Sequence, residues 1–313
     1  MTIPEPSRPP SGATTPALTL TGERTLPGIP DERYWFERHV VAYQVAVDHL
    51  APAGTTVLDA GCGEGYGLAM LADAGAARVI GVDLEPAVVA HAAATYAAVD
   101  PRIEVIEAEL GALPLADAEV ALTVSFQVIE HLHDIPAYLA SLRRVTRPGG
   151  RILIATPNRL TFTPDSDTPV NPFHTREFTA EELRSELVAA GLEVTGFLGV
   201  HHGSGLRAVE DAHGTSFPDL ITATPPEEWS AELRRVVHAV RADGFEVRAD
   251  HLDDSLDLLA ICTVPDDGHT GPDDGHTEPD DGHTGPDDGH TEPDDGHTEP
   301  DDGHTGPDDG VRP

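Results

Sequence analysis

Four glycines at alternate positions, Gly61, Gly63, Gly65 and Gly67, lie in the stretch VLDAGCGEGYG, directly after an apolar run. A glycine-rich turn after a strand lets a ligand come close to backbone N–H groups. The spacing does not suit a pyrophosphate. G-x-G-x-x-G counted from Gly61 requires glycine at Tyr66, and counted from Gly63 it requires glycine at Leu68. No Gly-Lys-Ser/Thr ending follows either. Asp59 stands two residues before the first glycine and Glu64 stands inside the loop. Carboxylates would repel a phosphate but favour a ligand with positive charge, such as an α-ammonium or a sulfonium.

Asp83 ends the next apolar run, VIGVD, 22 residues after Gly61. In doubly wound folds a carboxylate at that position accepts hydrogen bonds from ribose hydroxyls. The two signals together describe a nucleoside with a cationic, amino-acid-like end and no phosphate, and S-adenosylmethionine is such a molecule.

With these segments the chain resembles the class I S-adenosylmethionine-dependent methyltransferases. AELGALPLAD (108–117) is similar to the adenine-side motif of that family, VSFQVIEHL (124–132) to its fourth-strand motif, and LRRVTRPGGRILIATPN (142–158) to its fifth-strand segment. The resemblance covers about 30–200 and the last strand. It implies that Glu109, with Leu110 beside it, meets the adenine, that Leu84 follows the ribose-binding Asp83, and that Phe126 and Gln127 line the methionyl side. It also implies a helix folded over the cofactor before the first strand, carrying Tyr34, Trp35, Phe36, Arg38 and His39, with Arg38 as the expected partner of the cofactor carboxylate. LTLTGERTLPG, YWFERHVVAYQ and NPFHTREFTAEEL further resemble actinobacterial methyltransferases associated with 6-O-methylglucose lipopolysaccharide synthesis, which implies a glucan hydroxyl as acceptor.

Transfer to a hydroxyl benefits from a general base, and histidine titrates in the right range. His131 follows the fourth predicted strand, and His174 lies in a polar stretch with Asn171 and Arg176; both are expected catalytic residues. His131 and Glu130 could instead brace the next helix. His201 and His202, with Glu210, Asp211 and His213 nearby, match no metal-ligand spacing, so no metal is expected. Cys62 is expected to pack rather than react.

The elements that must position these residues alternate. Strands are predicted at 55–60, 77–83, 102–108, 119–126, 151–156, 192–200 and 255–264. Helices are predicted at 65–74, 85–98, 135–146, 179–191 and 226–244, the fourth with a Thr179/Glu182 capping box. Alternation of this kind implies an α/β, doubly wound, mostly parallel sheet that binds ligands beyond the carboxyl ends of its strands. The resemblance implies a seven-stranded Rossmann-like sheet of order 3-2-1-4-5-7-6 with strand seven antiparallel. The methyltransferase domain is expected over 26–264, with 157–178 and 201–254 as insertions covering the acceptor side.

Residues 1–25 are rich in Pro, Ser and Thr and are expected to be a disordered arm. From 265 the chain repeats PDDGHT every seven residues with no apolar position, so 265–313 is expected to be a solvated acidic tail, with weak metal binding by its Asp and His residues as the alternative. The formal charge is −36, and without the 14 Asp and 3 Glu of the tail it is still −19. Such a body disfavours nucleic acid and anionic membranes as partners. Two cysteines form no disulfide framework and suit a reducing compartment; with no basic-then-apolar start and no run of 18 apolar residues, a cytoplasmic protein is expected.

The expected function is therefore S-adenosylmethionine-dependent O-methylation of a sugar or glycan hydroxyl. Other small-molecule acceptors, a phenol, a quinone precursor or a carboxylate, would use the same fold. A nicotinamide-dependent oxidoreductase is disfavoured by the glycine spacing. A non-catalytic scaffold retaining the cofactor fold is a further class. Oligomeric state has no signature in the sequence.

Overall fold

The structure, a computed structural model, describes Leu18 and residues 24–266. Most of the expected arm and all of the tail beyond 266 lie outside the described residues.

Eight strands form one sheet: β1 (Thr56–Ala60), β2 (Arg78–Asp83), β3 (Ile103–Glu107), β4 (Val120–Phe126), β5 (Thr146–Pro157), β6 (Glu193–His202), β7 (Phe245–Arg248) and β8 (Asp257–Thr263). Their order is β3-β2-β1-β4-β5-β8-β6-β7. The first five pair in parallel, and β8 runs antiparallel to both β5 and β6. The expected count of seven is thus corrected to eight. The additional strand, β7, pairs antiparallel with the outer side of β6, Phe245 opposite His202. It falls inside 201–254, where a covering insertion had been expected.

Nine helices are described: α1 (Arg33–Leu50), α2 (Tyr66–Asp73), α3 (Pro86–Ala92), α4 (Ile135–Val145), α5 (Arg159–Phe162), α6 (Ala180–Ala189), α7 (Ser204–His213), α8 (Phe217–Thr222) and α9 (Ala231–Ala239). Local chemistry sets several ends. Asp134 caps α4 by accepting from the Ala137 N–H, with Pro136 in the first turn and Arg143 and Arg144 in the last. The Thr179/Glu182 capping box of α6 is present. The predicted helix 226–244 is shorter, because Val240 turns to an extended conformation and releases the chain into β7.

Alternate residues of each strand feed two cores. Val57, Val79, Val124 and Leu153 face α1 and α2, whereas Leu58, Ile80, Ile152 and Ile154 face α4 and α6. A parallel sheet buried on both faces needs such near-continuous apolar strands. Asp59 interrupts the pattern in β1 and is fully buried. No described helix is long and apolar enough to cross a membrane.

Candidate functional site

A cleft of about 790 Å3 opens at the carboxyl ends of the parallel strands, a size suited to a small-molecule ligand. Gly61 and Gly63 after β1, Asp83 and Leu84 at β2, Glu109 and Leu110 after β3, and Phe126 and Gln127 at β4 line it, together with His131. Nine of the expected site residues therefore meet on one wall system.

The glycine turn is pinned from below. The N–H groups of Gly61 and Cys62 donate to the Val82 carbonyl at 2.8 and 3.0 Å. Gly61 has φ +86°, and a Cβ there would come within 2.4 Å of a Val128 methyl, so any other residue would be strained and would have to push Val128 aside. Gly63 donates its N–H to Asp83 Oδ2 at 3.0 Å, and the Glu85 N–H donates to Asp83 Oδ1 at 3.0 Å. Each carboxylate oxygen keeps accepting capacity on the cleft side. A Cβ added to Gly63 would meet nothing within 4 Å, so its backbone borders open space. Leu84, 62% exposed, offers an apolar face there.

Four expected residues lie elsewhere. Gly65 does not line the cleft; a Cβ there would come within 2.9 Å of Ala92, so its smallness serves the close approach of α3. Asp59 is buried beneath the loop, where the Tyr43 hydroxyl donates to its Oδ2 at 3.0 Å and burial pushes its pKa up to about 7. His174 stands behind His131 rather than on the wall. Arg38 is buried in α1, and its Nε and Nη2 donate to the two Asp257 oxygens at 2.6 Å each. Burial alone would lower the Arg38 pKa, but the Asp257 charge outweighs it and holds the guanidinium above its ordinary value. The expected contact of Arg38 with a cofactor carboxylate is thus corrected: its partner is Asp257.

That pair supports the cleft at one remove. Gln127 Nε2 donates to Asp257 Oδ1 at 3.1 Å, and Gln127 holds φ +55°, a conformation that costs a non-glycine residue about 1 kcal/mol or more. Removing one member of a buried ion pair strands the other. Arg38→Ala is expected to lower the unfolding free energy by about 3–5 kcal/mol in urea titration, and Arg38→Met with Asp257→Leu by clearly less. Equal losses would contradict the assignment.

The wall also holds residues not anticipated as contacts, among them Arg24 and Thr25, and on the covering helix His39 stands there where Arg38 had been expected. Arg24 pairs with Glu85, and Thr25 Oγ1 lies 3.4 Å from His39 Nδ1. Burial, with a smaller effect of the Arg38 charge, pushes His39 down to about 4, so it is neutral at pH 7. Cys62 also lines the cleft, but burial and then the Asp59 and Asp83 charges raise its thiol well above normal, which removes thiolate chemistry.

Beside the cleft sits a second polar group. His131 Nδ1 lies 3.1 Å from the Phe173 carbonyl, and the His131 and His174 rings are 4.9 Å apart at 79°. His174 Nδ1 is 2.8 Å from Glu177 Oε1. Glu130 is fully buried; Thr156 Oγ1 donates to its Oε2 at 3.0 Å, and its Oε1 has no hydrogen-bond partner. The Thr175 N–H donates to the Glu130 carbonyl at 2.7 Å, tying the segment 157–178 to the end of β4. His202 bonds to Tyr34 and Glu210 through its two nitrogens, and with its neighbours it forms no metal-binding group among the described residues.

Burial raises Glu130 to about 8 from an ordinary 4.5. A carboxyl raised on folding stabilises the protein below its unfolded pKa and loses that contribution as pH rises through the folded value. The melting temperature of wild type is therefore expected to fall relative to Glu130→Gln by roughly 5 °C between pH 5 and 8. A pH-independent difference in calorimetry would contradict this.

A methyltransferase-domain family matches residues 57–150, from the first strand and glycine loop into the start of the fifth strand. The chain is 48% identical over 261 residues to a "Probable S-adenosylmethionine-dependent methyltransferase" of Mycolicibacterium smegmatis, covering 82% of this chain and 99% of that one. It is 47% identical over 276 residues to a protein of the same description from Mycobacterium tuberculosis, covering 84% and 97%. Among solved structures, a methyltransferase of Haloferax volcanii in complex with its Trm112 activator superposes with a TM-score of 0.52 at 21% identity, over 75% of this chain and 94% of that one; this likeness concerns the fold. The chain belongs to the S-adenosylmethionine-dependent methyltransferases, and S-adenosylmethionine is its cofactor.

Proposed function

We propose that the protein O-methylates a sugar or glycan hydroxyl, of the kind found in methylglucose polysaccharides. The observation that carries this reading is His131, an imidazole on the cleft wall whose Nδ1 is turned to a backbone carbonyl. With Nδ1 protonated toward Phe173, Nε2 holds the lone pair that can take a hydroxyl proton. Phe173, 56% exposed and on the same wall, offers a ring face to an acceptor. It belongs to the segment 157–178, which the sequence marks as acceptor-covering.

In this proposal the Gly61–Gly63 backbone receives the amino-acid part of the cofactor, and Asp83 accepts hydrogen bonds from its ribose hydroxyls. Glu109, Leu84 and Leu110 enclose the adenine, while Phe126 and Gln127 border the methionyl chain. Arg24, Thr25 and His39 supply the charge and donors for its carboxylate, the part first given to Arg38. The residues fit such a ligand: the Gly63 backbone borders open space, Asp83 is held by two N–H groups with acceptor capacity to spare, and Glu64, Asp83 and Glu109 favour positive charge over phosphate. S-adenosylmethionine supplies the methyl group on a sulfonium. The chain's own part is to orient the acceptor oxygen, exclude water and take one proton at His131.

The test is a methyl-transfer screen with radiolabelled cofactor against oligosaccharides, phenols and small carboxylic acids, with His131→Ala in parallel. Label on oligosaccharides, lost in the variant, is expected. Label confined to phenols or carboxylates would refute the glycan acceptor.

A further inference from the structure

We infer that Glu130, His131 and His174 form a binding site for one divalent cation at the acceptor end of the cleft. One oxygen of Glu130 and one nitrogen of each histidine all lie within 4.8 Å of one another. Two imidazoles and a carboxylate make a donor set suited to Zn2+ or Mn2+, with remaining positions left for oxygen ligands.

Further observations point the same way. Glu130 Oε1 is fully buried without a hydrogen-bond partner. Such an atom carries a desolvation cost that a cation would offset. His174 is backed by the buried Glu177, 2.8 Å from Nδ1, the arrangement in which a second carboxylate fixes the tautomer of a metal-ligating imidazole. His131 is held likewise by the Phe173 carbonyl at 3.1 Å. Asn171 Nδ2, 3.0 Å from His174 Nε2, is one group a cation must displace. Glu177 Oε2 is also buried without a hydrogen-bond partner, so two carboxylates with unmet accepting capacity bracket the histidine pair.

The inference rests on the acceptor side of the cleft being where proposed above, and it deepens that reading. A cation there takes an acceptor hydroxyl as a further ligand and makes it more acidic. Vicinal hydroxyls of a sugar suit two open positions. With a cation in place His131 would serve as a ligand instead of a base: the cation would lower the pKa of the acceptor hydroxyl, whose proton would pass to solvent water.

The test measures metal without acceptor or cofactor. Full-length wild type, Glu130→Gln and His174→Ala are stripped with chelator, dialysed against limiting Zn2+ or Mn2+, and analysed for bound metal by mass spectrometry. The PDDGHT repeats are present in all three proteins, so metal held there cancels in the comparison. Wild type is expected to retain one equivalent more than either variant. Equal stoichiometry in the three proteins overturns the inference. Circular dichroism and S-adenosylhomocysteine binding confirm that the variants are folded; should one fail, the other carries the comparison. Failure of glycan methylation leaves this result untouched, and a full methylation rate in chelator-treated, metal-free enzyme overturns the cation's role while sparing the glycan reading.

Discussion

Replacing Asp83 with alanine is expected to weaken binding of S-adenosylhomocysteine by about 100-fold, read by isothermal calorimetry. The estimate follows from two charge-assisted hydrogen bonds to ribose hydroxyls, each contributing about 1.5–3 kcal/mol with partial compensation by water. The carboxylate also accepts the Gly63 and Glu85 N–H groups at 3.0 Å. Part of the loss therefore comes from loosening the glycine turn. Asp83→Asn separates the two contributions. Its amide oxygen can retain one backbone bond while the charge is gone, so an intermediate loss of about tenfold is expected. Wild-type affinity in Asp83→Ala would remove the ribose assignment.

His131→Ala is expected to lower kcat by about 10²–10⁴-fold, the range of a positioned general base, with S-adenosylhomocysteine affinity within about threefold of wild type. A loss in kcat without a loss in cofactor binding is the mark of a group that acts on the acceptor. His174→Ala should cost less, since His174 stands behind His131, with ring centroids 4.9 Å apart. As the second imidazole beside His131, it is expected on loss to change kcat and displace the pH profile of kcat together. A His131→Ala enzyme with wild-type kcat would end the catalytic assignment.

The cleft was legible where a residue's position follows from its own strand. Asp83 ends β2 and Phe126 ends β4, so counting along an apolar run places both beside the cleft. The loop after β1 is equally local, although Gly65 proved to serve α3, whose approach depends on a helix some 20 residues later. Residues whose neighbours come from distant elements were not legible. Asp59 shares a face with Val57, and its partner Tyr43 is set by the packing of α1. On α1 itself, Tyr34, Phe36, Glu37, Arg38, Val40 and Val41 are all buried. A helix covered on nearly every side has no polar stripe to orient it, so its spacing does not tell that His39, and not Arg38, lines the cleft. The partner of Arg38 lies 219 residues away, a contact that no spacing rule reaches. The strand β7 was hidden for another reason. Four residues behind a short helix carry too little alternation to separate them from a longer helix.

The most direct measurement of the central claim is a crystal structure of the protein with S-adenosylhomocysteine. The ligand is expected along the Gly61–Gly63 turn, with both ribose hydroxyls within hydrogen-bonding distance of the Asp83 carboxylate and the sulfur turned toward the side that His131 lines. Density outside this cleft, or a ribose remote from Asp83, would contradict it.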